Sequence, residues 1–419
     1  MSRAQSIAVA LTFALSALDG YDVLAMTFAA PGVTHDWGVG KGVLGLALSA
    51  GLVGMALGSL VLAPLADVVG CRKMVVANLL IMTVGMALSA LSSSIGSLIA
   101  WRIVTGIGIG AMVPIIAPLS AEYANERRRP LAIAIMSIGY PVGATVGGFI
   151  AAVLLRFYDW RAVFLFGSGM ALLLLPAVLR WLLEPPEFLI ERPGEPSLFR
   201  LNDYLFRCGV DPVDALPAPT RRSTETAYSA IFAREQRGTT LMITAVNFLY
   251  TTTVYFVLSW MSQIVADAGF SASTATALAA LAALAGVFAQ LFVGVASARA
   301  GRRMLVPAVM LAAAGTTALF GFVPASLVPL ASMAALLGAF IYGGIAGLYA
   351  AIVTSFPTRM RATGVGFVLG IGRGAGALAP AVAGALFAGG FALGVVSGVL
   401  ALGALAAGLL LAVARRQAA

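Results

Sequence analysis

Four charged residues lie inside long apolar runs of this 419-residue sequence, and they are where its chemistry must begin. Asp19 and Asp22 stand about one helical turn apart in the first run, Arg102 in the fourth and Arg373 in the eleventh. A charge in hydrocarbon costs at least about 2.5–3.5 kcal/mol on insertion scales, so one retained there is read as functional. A carboxylate can take up and release a proton, while a guanidinium keeps its charge and offers a carboxylate two parallel donors. Covalent chemistry has little to work with. The single histidine, His35, stands in a loop beside Asp36 and Trp37, and both cysteines, Cys71 and Cys208, also fall in loops. Neither a nucleophile with its base nor a metal-ligating cluster follows from that set, so no catalytic residue and no metal or organic cofactor is expected.

The elements that carry these charges are apolar segments near residues 7–30, 43–65, 74–93, 97–119, 131–155 and 162–183, then 239–265, 273–296, 304–322, 327–353, 363–387 and 391–413. Each is close to the twenty or so residues that a helix needs to cross a bilayer. Overall, 60% of residues are hydrophobic and only 10% charged, more apolar surface than a soluble fold could hide. The first run follows Arg3 but is interrupted by Asp19 and Asp22 and has no small-residue cleavage site, so it reads as a retained helix. The polar alternation of outer-membrane strands is missing.

The formal net charge of +9 is distributed by side rather than by patch. Arg72 and Lys73, Arg127 to Arg129, a cluster between Arg180 and Arg237, Arg299 to Arg303, Arg359 and Arg361, and Arg415 and Arg416 occupy alternate loops, and the opposite loops hold little beyond Lys41, Arg156 and Arg161. This asymmetry predicts cytoplasmic termini and a cytoplasmic central loop, not nucleic-acid binding. The polar stretch from Glu184 to Gly238 divides the chain into a first bundle over 1–183, a linker over 184–238 and a second bundle over 239–419. The halves repeat at a shift of roughly 230 residues. Ala63–Lys73 aligns with Gly294–Arg303, and Gly106, Gly108 and Gly110 align with Gly338, Gly343 and Gly344. The expected fold is therefore an all-α membrane protein of twelve transmembrane helices in two six-helix bundles, working by alternating access around a midplane site.

Counted by helical rise, Asp22 lies about 9 Å and Arg102 about 8 Å below the external ends of their spans. Matching depth predicts that they meet, and making or breaking such a pair switches the proton affinity of the carboxylate. Asp22 is thus expected to bind the coupled proton, Arg102 to set its affinity and Asp19 to assist. Arg373 has no acid within the spans of its own half apart from Asp267, at the external end of the seventh. Its partner is expected to be a first-span aspartate or a substrate carboxylate. Two aspartates balance two arginines, so protonating one leaves one positive charge for a monoanion, predicting one proton per carboxylate. Tyr21, Asn247, Tyr250, Tyr255, Trp260, Gln290 and Tyr342 are candidates for the rest of an apolar, aromatic cavity.

The segment PLADVVGCRK after the second span resembles the loop signature of the major facilitator superfamily, with Asp67, Gly70 and Arg72 in register. That resemblance implies a gate at the contact between bundles, in which the aspartate steadies the inward-closed state near the eleventh helix. Arg72 would pair with an acid at the end of the fourth, here Glu122, with Arg127 in the loop beyond it. Ala63 and Cys71 depart from the signature, and the second copy has Ala298 where an acid is expected. More narrowly, LDGYD at Leu18–Asp22, RIVTGIGIG at Arg102–Gly110, EPPEFL at Glu184–Leu189 and RATGVGFVLGIGR at Arg361–Arg373 are similar to the aromatic acid/proton symporters. The resemblance implies import of a benzoate- or hydroxybenzoate-type anion with protons across a bacterial inner membrane, by a monomer whose seventh helix, with Asn247 and Tyr250, lines the cavity. Sugar/proton symporters share part of the pattern, although a neutral ligand would leave Arg373 uncompensated. Efflux antiporters would carry G-P-x-x-G-G in the fifth span, where GYPVGATVGG stands instead.

Overall fold

In a bilayer core every backbone N–H and C=O must find its partner within the protein, which leaves a continuous apolar chain to fold as helices. The computed structural model describes residues 2–125, 128–184, 186–190, 195–208, 211–216, 231–298, 304–357 and 361–417. The first six helices are α1 (Arg3–Trp37), α2 (Lys41–Val69), α3 (Cys71–Ala90), α4 (Ile95–Tyr123), α5 (Arg129–Phe157) and α6 (Arg161–Trp181). After two short helices, α7 (Pro186–Ile190) and α8 (Glu195–Cys208), come α9 (Arg237–Asp267), α10 (Ala272–Ala298), α11 (Leu305–Phe320), α12 (Leu327–Thr354), α13 (Arg361–Ala388) and α14 (Leu393–Gln417). Among the described residues eleven of these are long and apolar enough to span a membrane. The twelfth, α11, is a 16-residue apolar helix, about 24 Å long. An even number of crossings puts both termini on one side, called the terminal side below.

Helix starts follow local chemistry. Ser2 caps α1 through a reciprocal pair with Gln5, and Ser94 caps α4 through one with Ser97, each satisfying N–H groups that a first turn leaves orphaned. The linker is less plain than its composition implies. It contains α7 and α8, and Tyr204 of α8 stacks on Tyr123 of α4 at 6.0 Å.

Packing is uneven across the membrane. One buried apolar cluster runs from the first bundle to the second, through Tyr21, Phe28 and Phe164 to Trp260, Tyr342 and Phe356. A second, containing Leu15, Met74, Met112 and Ile115, stays largely within the first bundle. Several hydrogen bonds and an ion pair between the bundles have the same bias. Among the described residues they are Thr34 to Gln263, Ser273 to the Ala152 carbonyl, Thr276 to the Phe28 carbonyl, Arg373 to the Gly110 carbonyl, and Lys41 with Asp267. All lie at the midplane or in the half opposite the termini.

Lipid supplies no hydrophobic drive between helices, so close approach over small residues carries association. Gly143 of α5 packs against the backbone of Ala17 in α1, where a Cβ would collide with the carbonyl oxygen. Gly143→Val should lower stability by about 1–3 kcal/mol, the scale of an overpacked core. Gly169→Ala, with open space around it, should stay within about 0.5 kcal/mol. Thermal unfolding of both variants in detergent checks the contrast.

Candidate functional site

Asp19 and Asp22 of α1 are both fully enclosed, at 1% and 0% exposure. Arg102 of α4 is 1% exposed and reaches Asp22 across the interior of the first bundle. Its contacts differ from the expected ion pair. Nη2 donates to the backbone carbonyl of Asp22 at 2.9 Å, Nη1 lies 3.2 Å from the Met86 sulfur, and the guanidinium stands 5.6 Å from the centroid of the Phe164 ring. Both Asp22 carboxylate oxygens and one of Asp19 are buried with no hydrogen-bond donor. Asp22 and Arg102 do meet, but through the peptide group. The carboxylate turns toward α6, where a Cβ on Gly167 would stand 2.8 Å from Oδ1. Unsatisfied acceptors on both acids leave places for a proton to bind.

Arg373 enters from the other bundle. It lies 12 residues into α13, about 18 Å from the terminal side, and Nη1 donates to the Gly110 carbonyl of α4 at 3.0 Å. A neutral backbone oxygen therefore meets it in this state, rather than an acid. Asp19 interacts electrostatically with both Asp22 and Arg373, which makes one charge group of the three across the bundle interface.

The tyrosines and amides divide into two sets. Three cavity candidates are committed to holding helices together. Tyr21 donates to the Val163 carbonyl at 2.6 Å and packs edge-on against Phe166. Tyr250, fully buried, donates to the Ile341 carbonyl at 2.9 Å. Asn247 donates to the Val368 carbonyl at 2.8 Å. Their polar groups are turned onto neighbouring backbone, because a buried donor in an apolar bundle must find an acceptor. Trp260 is tied similarly, to the Pro380 carbonyl at 3.2 Å. Gln290 is half-buried on α10.

The second set gathers near Arg373. Tyr255 packs beside Gly376, one turn along α13 from Arg373, and touches the apolar clusters of both bundles. It interacts electrostatically with Arg373, Asp19 and Tyr349, and Tyr342 interacts in turn with Tyr255. Tyr140 of α5 joins the same group through Tyr255, Tyr342, Asp19 and Tyr349. Tyr140 and Tyr349 are absent from the sequence-based candidates. The available signal was a tyrosine inside an apolar span, the criterion applied to the others.

At the terminal side, Gly70 joins α2 to α3 with φ of +110°, a conformation that L side chains rarely adopt, and a Cβ there would press on the Glu184 carboxylate. The Arg72 backbone N–H donates to Glu184 Oε2 at 3.1 Å, and its guanidinium donates to the Leu179 carbonyl at 2.6 Å. The signature loop is thus seated on the end of α6 and the first linker residues. Glu122 lies at the end of α4 and Asp67 near the end of α2. Arg127 and the Asp67 side chain lie outside the described residues.

The profile of the Major Facilitator Superfamily matches residues 9–263. The 4-hydroxybenzoate transporter PcaK of Pseudomonas aeruginosa is 31% identical over 368 residues, 87% of this chain and 82% of that protein. A gallate transporter of Pseudomonas putida is 32% identical over 421 residues, 97% of this chain and 90% of that protein. The solved structure of a bacterial homolog of the human lysosomal transporter Spinster, inward-facing and unoccupied, superposes with a TM-score of 0.73 over 99% of this chain and 96% of that one, at 18% identity, showing a shared fold.

If Tyr21 is a helix tie and not a ligand group, Tyr21→Phe should lower stability by about 1 kcal/mol, the value of one hydrogen bond, and leave substrate affinity unchanged. Thermal unfolding and concentration-dependent uptake check the two halves.

Proposed function

Because the chain belongs to the major facilitator superfamily, and within it to the group that includes the 4-hydroxybenzoate and gallate transporters, we propose that it imports a small aromatic carboxylate of the benzoate or hydroxybenzoate class with a proton. It is a multi-pass membrane transporter and not an enzyme. The observation that carries the anion reading is Arg373. Its guanidinium sits at the midplane between the bundles, where it donates to the Gly110 backbone carbonyl. A carboxylate could take both of its parallel donors. Tyr255, Tyr140 and Tyr349 would then supply the aromatic and hydroxyl surface for the ring.

The proton belongs on the aspartates of α1. Asp22 holds two unsatisfied oxygens in a fully buried interior, and Arg102 holds the helical backbone from which it projects. Protonating one of the two acids leaves the two arginines one positive charge in excess, which a monoanion cancels, so one proton accompanies each carboxylate. In this reading the proton is the only coupling ion and the transporter acts as a monomer. The termini and the linker then lie in the cytoplasm of a bacterial cell, a reading that the basic loops support. The contacts concentrated opposite the termini then describe an inward-facing state, with Asp67, Gly70, Arg72, Glu122 and Arg127 closing the cytoplasmic side in the other half of the cycle.

Uptake of labelled benzoate and 4-hydroxybenzoate into proteoliposomes under an inward proton gradient tests the proposal. Arg373→Ala should reduce uptake roughly ten- to a hundred-fold, the loss of a charged hydrogen bond worth about 1.5–3 kcal/mol. Asp22→Asn should keep substrate exchange and abolish accumulation against a gradient. Proton-driven accumulation by the asparagine variant would overturn the role of Asp22, and wild-type protein inert toward both acids would overturn the substrate class.

A further inference from the structure

The side opposite the termini carries an ion pair that substrate and proton binding leave unused. Lys41, the first residue of α2, places Nζ 2.7 Å from Oδ2 of Asp267, the last residue of α9. The other oxygen of Asp267 accepts from Gln263 Nε2 at 2.8 Å, and Gln263 Oε1 accepts from Thr34 Oγ1 of α1 at 3.2 Å. The Lys41 ammonium also stands 5.2 Å from the centroid of the Phe387 ring of α13. The group therefore draws on α1 and α2 from one bundle and α9 and α13 from the other. It is an ion pair that joins the two bundles.

The helices it joins approach closely just beneath it. A Cβ on Gly45 of α2 would stand 2.9 Å from the Gly384 Cα of α13, and one on Gly42 would stand 3.3 Å from the Ala388 Cβ. The packing is tight enough to exclude a solute while the pair is made. Yet both charges are more than a third exposed, so the pair is weakly stabilising and easily exchanged for water. A closure that must open in every cycle needs this combination, since a fully buried pair would be costly to part.

We propose that Lys41 and Asp267 form a reversible latch that holds the bundles together opposite the termini and sets how readily that side opens. The proposal rests on the transport reading. The latch is released when the two bundles rock apart, and Gln263 keeps the Asp267 carboxylate oriented for its return.

Gly42→Cys with Ala388→Cys, in a protein with Cys71→Ser and Cys208→Ser, reports the closed state, because the Cβ separation is close to that of a disulfide. Oxidation should arrest uptake of labelled 4-hydroxybenzoate and reduction should restore it. Adding Lys41→Met or Asp267→Asn should slow disulfide formation about two- to five-fold, the scale of an exposed ion pair. Combining Lys41→Asp with Asp267→Lys should recover most of the rate. Formation indifferent to either charge would overturn the latch, as would oxidised protein that still transports. Failure of the transport reading shows separately, as reduced protein that moves no acid, and the charge dependence of cross-linking still tests the latch in that case.

Discussion

A guanidinium at the middle of a bilayer must be given acceptors by the protein itself, because hydrocarbon offers none. Arg102 and Arg373 meet this requirement in the same way, by donating to backbone carbonyls of the first bundle. Much of the architecture follows from where those carbonyls are. The Asp22 carbonyl is presented by α1 as it crosses α4, and the Gly110 carbonyl by α4 where it packs on α2, so α4 carries one arginine and holds the other. The charge of each arginine is permanent, whereas its partner is replaceable. A peptide oxygen satisfies a donor without neutralising the charge, and that leaves an anion something to gain by binding.

The apolar packing serves the same end. Helices that must move as two bodies need strong contacts within each body and separable ones between. Within bundles, buried donors such as Tyr21, Tyr250 and Asn247 are fixed on neighbouring backbone. Such bonds rigidify the elements that carry Asp22 and Arg373. Between bundles, the polar contacts include hydroxyl-to-carbonyl bonds, a Thr34–Gln263 side-chain bond, the Arg373 bond to the Gly110 carbonyl and one half-exposed ion pair, all of which water can replace.

Most of the fold was legible in the sequence because span length and charge placement are one-dimensional properties. The short helix α11 and the helical linker lie at the margin of that legibility, the first because its terminal-side neighbours are polar, the second because amphipathic helices lack a continuous apolar run. The four intramembrane charges were equally visible. Their contacts were not. Helical rise gives the depth of Asp22 and Arg102 but neither the rotation of each helix nor the rotamer, so it could bring them level without saying that the guanidinium would find the carbonyl and the carboxylate would face Gly167. Asn247 and Tyr250 show a related limit, since a polar group inside a span looks the same in sequence whether it ties helices or binds a ligand. Lys41 and Asp267 are separated by most of the chain and stand at helix ends, where sequence reads a charge as merely solvated.

The two acids of α1 are coupled to Arg373 through space rather than through a chain of bonds. Asp19 lies between them electrically, interacting with Asp22 in its own bundle and with Arg373 in the other. An anion arriving at Arg373 would cancel part of the positive field that Asp19 feels, and so favour a proton on the acid pair. A proton arriving first would unmask Arg373 for the anion. In the proposed symport, binding of one partner would therefore favour binding of the other by the same amount, as linkage requires. Coupled transport needs this reciprocity together with a change in which side is open, and the separable contacts between the bundles are what permit that change.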